Sequence, residues 1–135
     1  WIEQRVCEAK VKFGLDVVFI DHLHFLVEMR SKHNMSLEIG HVMRTLKLMA
    51  LKYNIAFFLM AHTTKTKQDI EIDNDSIRDS SFVAGESDNV FFIWRLPNTD
   101  CDAVLKIGKN RRHGIMNKKI PLTKRGAFLV ERFND

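Results

Sequence analysis

Apolar residues recur along the first part of the chain with the spacing of a helix, then a strand, then a second helix. Residues 1–13 carry apolar side chains three or four positions apart, which predicts an amphipathic helix that stops at Gly14. The short run 15–21 is mostly apolar, rich in β-branched residues and closed by Asp21, which is typical of a strand buried on both faces in a parallel sheet. An apolar stripe over about 36–53 predicts the next helix.

The second part of the chain predicts further strands at shorter intervals. Residues 55–61 form an apolar run that ends at His62, and the runs 90–94 and 103–108 predict two more strands. The C-terminal residues predict a hairpin that turns near 124–126. We therefore expect an α/β fold, with a mostly parallel sheet flanked by helices and an antiparallel C-terminal hairpin. The polar residues 29–36 and the basic residues 109–119 predict loops, and the stretch 63–89 is polar and mostly acidic.

The composition fits one globular domain. The chain has 135 residues, of which 45% are hydrophobic and 28% charged, and this excludes a disordered chain, a collagen and a disulfide scaffold. Cys7 and Cys101 predict reduced thiols in an intracellular protein, and no apolar run approaches the length of a membrane span. The formal net charge of +4 is compatible with an anionic partner. Because the chain opens with Trp1 in a helical pattern, we expect it to be the later half of a larger domain.

Two predicted strands end in polar side chains that could take part in binding or catalysis. Asp21 closes the first strand and His62 follows the second. If these strands are parallel neighbours, both side chains lie at the edge where open α/β sheets bind ligands. A carboxylate there can hold Mg²⁺ through water beside a nucleotide, and an imidazole can bond a γ-phosphate or the attacking water. The alternative for each is a polar residue that only terminates its strand.

A third feature is the stretch 106–125, which contains eight lysines and arginines and no acid. Lys109 and Arg111 lie two residues apart, so in an extended chain their side chains project to the same side. Two cations at the mouth of a loop suit phosphate binding. The alternative is a solvated, charged hairpin.

Taken in order, these features resemble the C-terminal motor domain of DnaB-type replicative helicases, especially the phage primase-helicase and mitochondrial Twinkle-like branches. The resemblance covers nearly the whole chain. It is carried by VVFIDHLHFL, SLEIGHVMRTLKLMALKYN, IAFFLMAHTTK, SIRDSSFVAGESDNVFFIWR and LKIGKNRRHG. The family implies a RecA-like core that works as a homo-hexameric ring on single-stranded DNA, with ATP and Mg²⁺ between neighbouring subunits. It implies a cytoplasmic protein without a membrane segment, or a mitochondrial one in the Twinkle-like branch.

The resemblance also assigns roles to individual residues. Asp21 matches the Walker B aspartate that organises Mg²⁺, and His62 matches the residue that senses the γ-phosphate. Arg111 matches the arginine finger that reaches the ATP of the adjacent subunit, and Lys109 matches its companion cation. Arg78 stands at the arginine of the Asp-Leu-Arg-type motif.

The loops that face the central channel in such rings would contact the DNA backbone. Lysine and arginine there give binding that is salt-sensitive and indifferent to sequence. The alternative for any one of these residues is a solvated loop. The candidates are Arg30, Lys32, Lys65, Lys67 and Arg78.

The chain departs from the family pattern in two respects. No G-x-x-x-x-G-K-[ST] phosphate loop is present, because Gly108-Lys109 lacks the first glycine and is followed by Asn110. The family's phosphate loop, first core strand and catalytic glutamate lie upstream of Asp21. We therefore expect residues 1–135, from Walker B to arginine finger, to be inactive alone. The family usually carries a glutamine where Gly85 stands, which puts coupling to DNA in doubt.

Other functions remain open at this stage. One is a RecA/RadA- or KaiC-like ATPase, which shares the same core, although the element Lys109-Asn110-Arg111 favours the helicase branch. Another is a nucleic-acid-binding module without catalysis, which the missing phosphate loop would fit. His22 and His24 raise the question of zinc, but no cysteine or carboxylate pattern completes a tetrahedral ligand set.

Overall fold

A computed structural model describes residues 1–28, 35–63, 72, 76–77, 80–95 and 101–133. They form two compact units. The first unit comprises the described residues of 1–63 and 77–86, and the second comprises the other described residues. In the part of the chain that is described, no helix is both long enough and apolar enough to cross a membrane.

The first unit contains four helices and a pair of parallel strands among its described residues. Val17 pairs with Ala56 and Ile20 with Leu59, so the two strands run in register with their carboxyl ends at one edge. Gly14 ends the first helix as predicted, with a left-handed φ of 67°, and its N–H donates to the carbonyl of Lys10. The elements are α1 (Ile2–Phe13), β1 (Val17–Ile20), α2 (Leu23–Glu28), α3 (Met35–Tyr53), β2 (Ala56–Leu59) and α4 (Ser80–Glu86).

The core of this unit is formed mainly by its helices. Leu23 and Val27 of α2 and Ile39 of α3 are its most completely buried large side chains. The strands contribute less than predicted, because Phe19 and Phe58 stack with their ring centroids 5.0 Å apart and remain 67% and 49% exposed. The expectation that both faces of these strands are buried is therefore wrong for the residues described.

The second unit is an antiparallel sheet of four described strands in the order β3-β4-β5-β6. Alternate residues of β3 are buried, as expected for a sheet with one covered face. The last two strands turn at Gly126, whose φ is 62°, so the C-terminal hairpin is where the sequence predicts it. The strands are β3 (Asn89–Arg95), β4 (Ala103–Asn110), β5 (Lys119–Arg125) and β6 (Phe128–Glu131).

The α/β class is confirmed, but a mostly parallel sheet is not. Among the described residues, β1 and β2 are the parallel pair, and the other pairings are antiparallel. Short connections between consecutive strands join antiparallel neighbours, whereas parallel neighbours need a long crossover such as the one through α3. Two helices were not predicted, since α2 is short and separated from β1 by only Asp21 and His22, and α4 lies inside the polar stretch 63–89. Strand β4 also extends two residues beyond its predicted end at 108.

Candidate functional site

The carboxyl ends of β1 and β2 bring two predicted site residues to the same edge of the sheet. Asp21 follows the last residue of β1 and is exposed to solvent. His62 lies three residues beyond the end of β2 and is also exposed. The backbone continues the pairing past the strands, because Met60 donates its N–H to the carbonyl of Ile20 at 3.0 Å and accepts the N–H of Leu23 at 2.9 Å. Asp21 and His62 are thus carried by adjacent chain segments.

A group of three histidines forms at this edge. The ring of His22, the residue after Asp21, lies 4.3 Å from the ring of His62 in an edge-to-face arrangement. The peptide bond between Asp21 and His22 is cis. The backbone N–H of His24 donates to Nδ1 of His22 at 3.2 Å, and Phe25 packs against the same imidazole with ring centroids 4.5 Å apart. His22 therefore links the Asp21 segment to His62.

His22 and His24 were considered from sequence only as a zinc pair. The ring of His24 is buried and lies 5.5 Å from that of His22 and 6.2 Å from that of His62. Within the described ranges, no group of three or more histidine, cysteine or acidic side chains is arranged to hold a metal ion. His22 and His24 lie near His62 because the chain turns into α2 directly after β1. Since that helix was not predicted, neither was this proximity.

The chemistry of Asp21 fits a Mg²⁺ ion held through water. Mg²⁺ keeps several waters and is typically held by one or two carboxylates together with substrate phosphates. An exposed carboxylate at a strand tip provides such a ligand with room for the waters, and the imidazole of His62 adds a group that can hydrogen-bond to phosphate. The edge therefore combines an anionic group for a cation with a donor for an anion.

The two predicted cations Lys109 and Arg111 lie in the second unit. Lys109 is within β4, where it pairs with Val90 and is half-buried. Arg111 follows the strand, and its backbone N–H donates to the carbonyl of Asp88 at 2.8 Å. Its Nη1 also lies 3.4 Å from Oδ1 of Asp88, with both side chains about half exposed (52% and 51%). The sequence placed Arg111 in the basic stretch 106–125 but did not predict its contact with Asp88, which is 23 positions earlier in the chain.

Asn110 shapes the turn that follows β4. Its side-chain Oδ1 accepts the N–H of His113 at 2.9 Å, and its backbone carbonyl accepts the N–H of Gly114 at 2.9 Å. Such side-chain to backbone bonds are the usual way in which asparagine fixes a turn. The backbone of Arg111 is therefore held between a strand pairing on one side and a closed turn on the other.

The predicted DNA contacts lie outside the described residues. This applies to every one of the proposed positions, namely Arg30, Lys32, Lys65, Lys67 and Arg78.

Together, the helix-flanked parallel pair and the polar groups at its carboxyl edge define an α/β protein of the kind that binds ligands where its strands end. The chain belongs to a particular family of that class. The family model of the DnaB-like helicase C terminal domain matches residues 2–129, which is almost the entire chain. The resemblance inferred from the ordered motifs is thereby confirmed.

Two solved structures have a similar fold. The first, "ATPase Domain of G40P", has a TM-score of 0.83 and 19% sequence identity, and the match covers 98% of this chain and 50% of that chain. The second is "The Structure Of A DnaB-Like Replicative Helicase And Its Interactions With Primase", with a TM-score of 0.77 and 20% identity over 90% of this chain and 31% of that chain. This chain thus spans half or less of each. No curated protein sequence is a match.

Proposed function

We propose that this chain is the C-terminal part of the motor of an ATP-dependent replicative DNA helicase. The intact protein would couple ATP hydrolysis at subunit interfaces to movement along single-stranded DNA. The observation that carries the proposal is the family match over residues 2–129, in a chain whose Asp21 and His62 lie at the carboxyl edge of adjacent parallel strands. The family and its fold are established by the comparisons, whereas the activity and its substrates are proposed.

In this proposal the residues of the first unit act on the nucleotide bound by their own subunit. Asp21 would hold a Mg²⁺ ion through water, and that ion would supply charge neutralisation at the β- and γ-phosphates. His62 donates a hydrogen bond to the γ-phosphate, or accepts one from the water that attacks it, and so registers whether the nucleotide is intact. Its contact with the His22 ring at 4.3 Å supports this, since it limits how the imidazole can turn.

The residues of the second unit act on the nucleotide of a neighbouring subunit. Negative charge on the γ-phosphoryl oxygens must be stabilised in the transition state, and a trans arginine provides this only when the subunits are correctly docked. Arg111 takes that role and Lys109 contributes a second cation beside it. The position of Arg111 at the end of β4, about half exposed, supports a role toward a group outside its own unit.

The proposal includes a homo-hexameric ring around single-stranded DNA, in the cytoplasm or the mitochondrion. Arg30, Lys32, Lys65, Lys67 and Arg78 would contact the phosphate backbone in the channel. Such contacts release counterions, so the affinity for DNA should fall steeply with added salt and depend little on sequence.

The test is steady-state ATP hydrolysis by the intact oligomer, with and without single-stranded DNA. Arg111→Ala should lower kcat by roughly 10³- to 10⁵-fold, the family-wide contribution of an arginine finger. The binding of nucleotide, measured by calorimetry, should change little because the finger acts in trans. The adjacent exposed residue gives the matched control, since Arg112→Ala should retain most of the activity.

His62→Ala provides a second arm of the same test. This variant should still hydrolyse ATP slowly but should lose the stimulation by DNA. Equal losses of nucleotide binding and turnover in Arg111→Ala would place that residue elsewhere. Absence of DNA-stimulated hydrolysis in the unaltered oligomer would favour a nucleic-acid-binding module without catalysis.

A further inference from the structure

Asp88 contacts both the backbone N–H and the guanidinium of Arg111. Asp88 accepts the backbone N–H of Arg111 through its carbonyl at 2.8 Å and faces Nη1 through its carboxylate at 3.4 Å. A long arginine side chain at a half-exposed site otherwise samples many rotamers, and two contacts to one residue reduce that number. The two contacts together therefore restrict the direction in which the guanidinium points.

The strand pairing sets this double contact. Asn89 pairs with Asn110 at the end of the β3–β4 ladder, so Asp88 and Arg111 are the next residues outward on the two strands. The 2.8 Å bond from Arg111 to Asp88 extends the ladder by one step, which fixes the distance between their Cα atoms and brings the two side chains within reach. The contact thus follows from the fold of the sheet itself.

The turn after β4 fixes Arg111 from the other direction. Asn110 Oδ1 accepts the N–H of His113, and the Asn110 carbonyl accepts the N–H of Gly114. Both bonds close over Arg111, which lies inside the turn. Loss of the Asn110 side chain would leave Asp88 in place but remove one of the two hydrogen bonds that close the turn.

We propose that Asp88 and Asn110 are positioning residues that preset the direction of the Arg111 guanidinium toward a phosphate of the adjacent subunit. This inference rests on the proposed arginine-finger role of Arg111. A guanidinium carries five N–H donors, so a contact between Nη1 and Asp88 is compatible with a simultaneous contact to a phosphate oxygen. Asp88 holds the group in place and Asn110 holds the backbone from which it projects. Neither residue touches the substrate.

The experiment measures DNA-stimulated ATP hydrolysis by the intact oligomer carrying Asp88→Ala, Asn110→Ala or Asn110→Asp. A misplacement of about 1 Å in a reacting group can lower a rate by roughly 10²-fold, so we expect kcat to fall by about 10- to 100-fold in both alanine variants. The KM for ATP and the oligomeric state, measured by light scattering, should remain unchanged. Asn110→Asp retains the Oδ1 acceptor and should recover most of kcat.

A double variant separates a positioning role from a structural one. If Asp88 acts through Arg111, then adding Asp88→Ala to Arg111→Ala should lower kcat no further. The exposed pair of Arg5 and Glu8, 3.0 Å apart in α1, provides the control, and Glu8→Ala should behave as the unaltered protein. An additional loss in the double variant would overturn the inference, as would an unchanged kcat in Asp88→Ala and Asn110→Ala. An unchanged kcat in Arg111→Ala alone would instead overturn the proposed function.

Discussion

The close approach of α3 and α4 makes a sharp prediction at Gly40. This glycine is buried in α3, and a Cβ atom built on it would lie 2.9 Å from Cδ1, 3.1 Å from Cγ and 3.2 Å from Cε1 of Phe82. Carbon atoms pack favourably at about 3.5–4.0 Å, so all three contacts are too short. We expect Gly40→Ala to push α4 away from α3 and to destabilise the first unit.

The magnitude follows from two opposing effects. Overpacking a well-filled site costs about 1–3 kcal/mol, because the Phe82 ring and the helix that carries it must move by several tenths of an ångström. Alanine in a helix interior is more favourable than glycine by about 1 kcal/mol. The net change in the free energy of unfolding should therefore lie between roughly no loss and a loss of about 2 kcal/mol.

Gly85 provides the matched control. It lies in α4, and a Cβ built on it would meet no atom within 4 Å. Gly85 is the penultimate residue of that helix, so Gly85→Ala should stabilise the protein by at most about 0.5–1 kcal/mol, the gain for a glycine in the middle of a helix. In urea denaturation followed by far-UV circular dichroism, Gly85→Ala should have a higher midpoint than Gly40→Ala, whose midpoint should equal or fall below that of the unaltered protein.

A double-mutant cycle identifies the cause. Phe82→Ala removes all three atoms that a Cβ at Gly40 would meet, so Gly40→Ala should cost less in that background than alone. If Gly40→Ala is as stable as Gly85→Ala, or if its cost is the same with alanine at 82, the reasoning from the short contacts is wrong.

Two further predictions concern polar contacts within single units. The hydrogen bond from Lys52 (2.8 Å), and after it the one from Tyr53, lowers the pKa of the Glu3 carboxyl. The stabilisation that ionised Glu3 provides is therefore present above its ordinary pKa near 4.5 and is lost as the pH falls through the lowered pKa. Thermal melts should show that Glu3→Gln is less stable at neutral pH, with a small difference that disappears in strong acid; a difference that grows in acid would contradict this. Asp102 Oδ2 accepts the backbone N–H of Lys124 at 2.6 Å, so Asp102→Ala should cost about 1 kcal/mol and speed amide hydrogen exchange at Lys124, whereas Asp102→Asn should cost less; equal exchange in all three proteins would refute it.

The elements that the sequence predicts correctly are those with a local physical signature. The helix α1 has a 3.6-residue apolar period and a glycine at its end, and α3 has a long apolar stripe, so both emerge from patterns within a few turns. The C-terminal hairpin also depends on a local turn, with Gly126 in the left-handed region. The edge that carries Asp21 and His62 was predictable because any two parallel neighbours end on the same side.

The elements that were missed depend on interactions distant in sequence. The short helix α4 spans Ser80–Glu86, seven residues in a polar stretch, and it is held against α3 by contacts such as the 3.0 Å ion pair between Arg44 and Glu86. A helix of this length has little stability of its own, so no local sequence pattern predicts it. The helix α2 was missed because it has only six residues and because only Asp21 and His22 separate it from the apolar residues of β1.

The contact between Asp88 and Arg111 depends on a still finer feature, the register of β3 against β4. Phe91 pairs with Ile107, but Val90 pairs with Lys109, so the register shifts by one residue between them. Had the register of Phe91 continued unshifted to the end of the ladder, Arg111 would lie opposite residue 87 instead of Asp88. Because the side chains of a strand alternate between faces, a shift of one residue also decides which face each of them occupies. The basic residues of this proposed site can be recognised in the sequence, whereas the pairing of Arg111 with Asp88 depends on a single irregularity in the sheet.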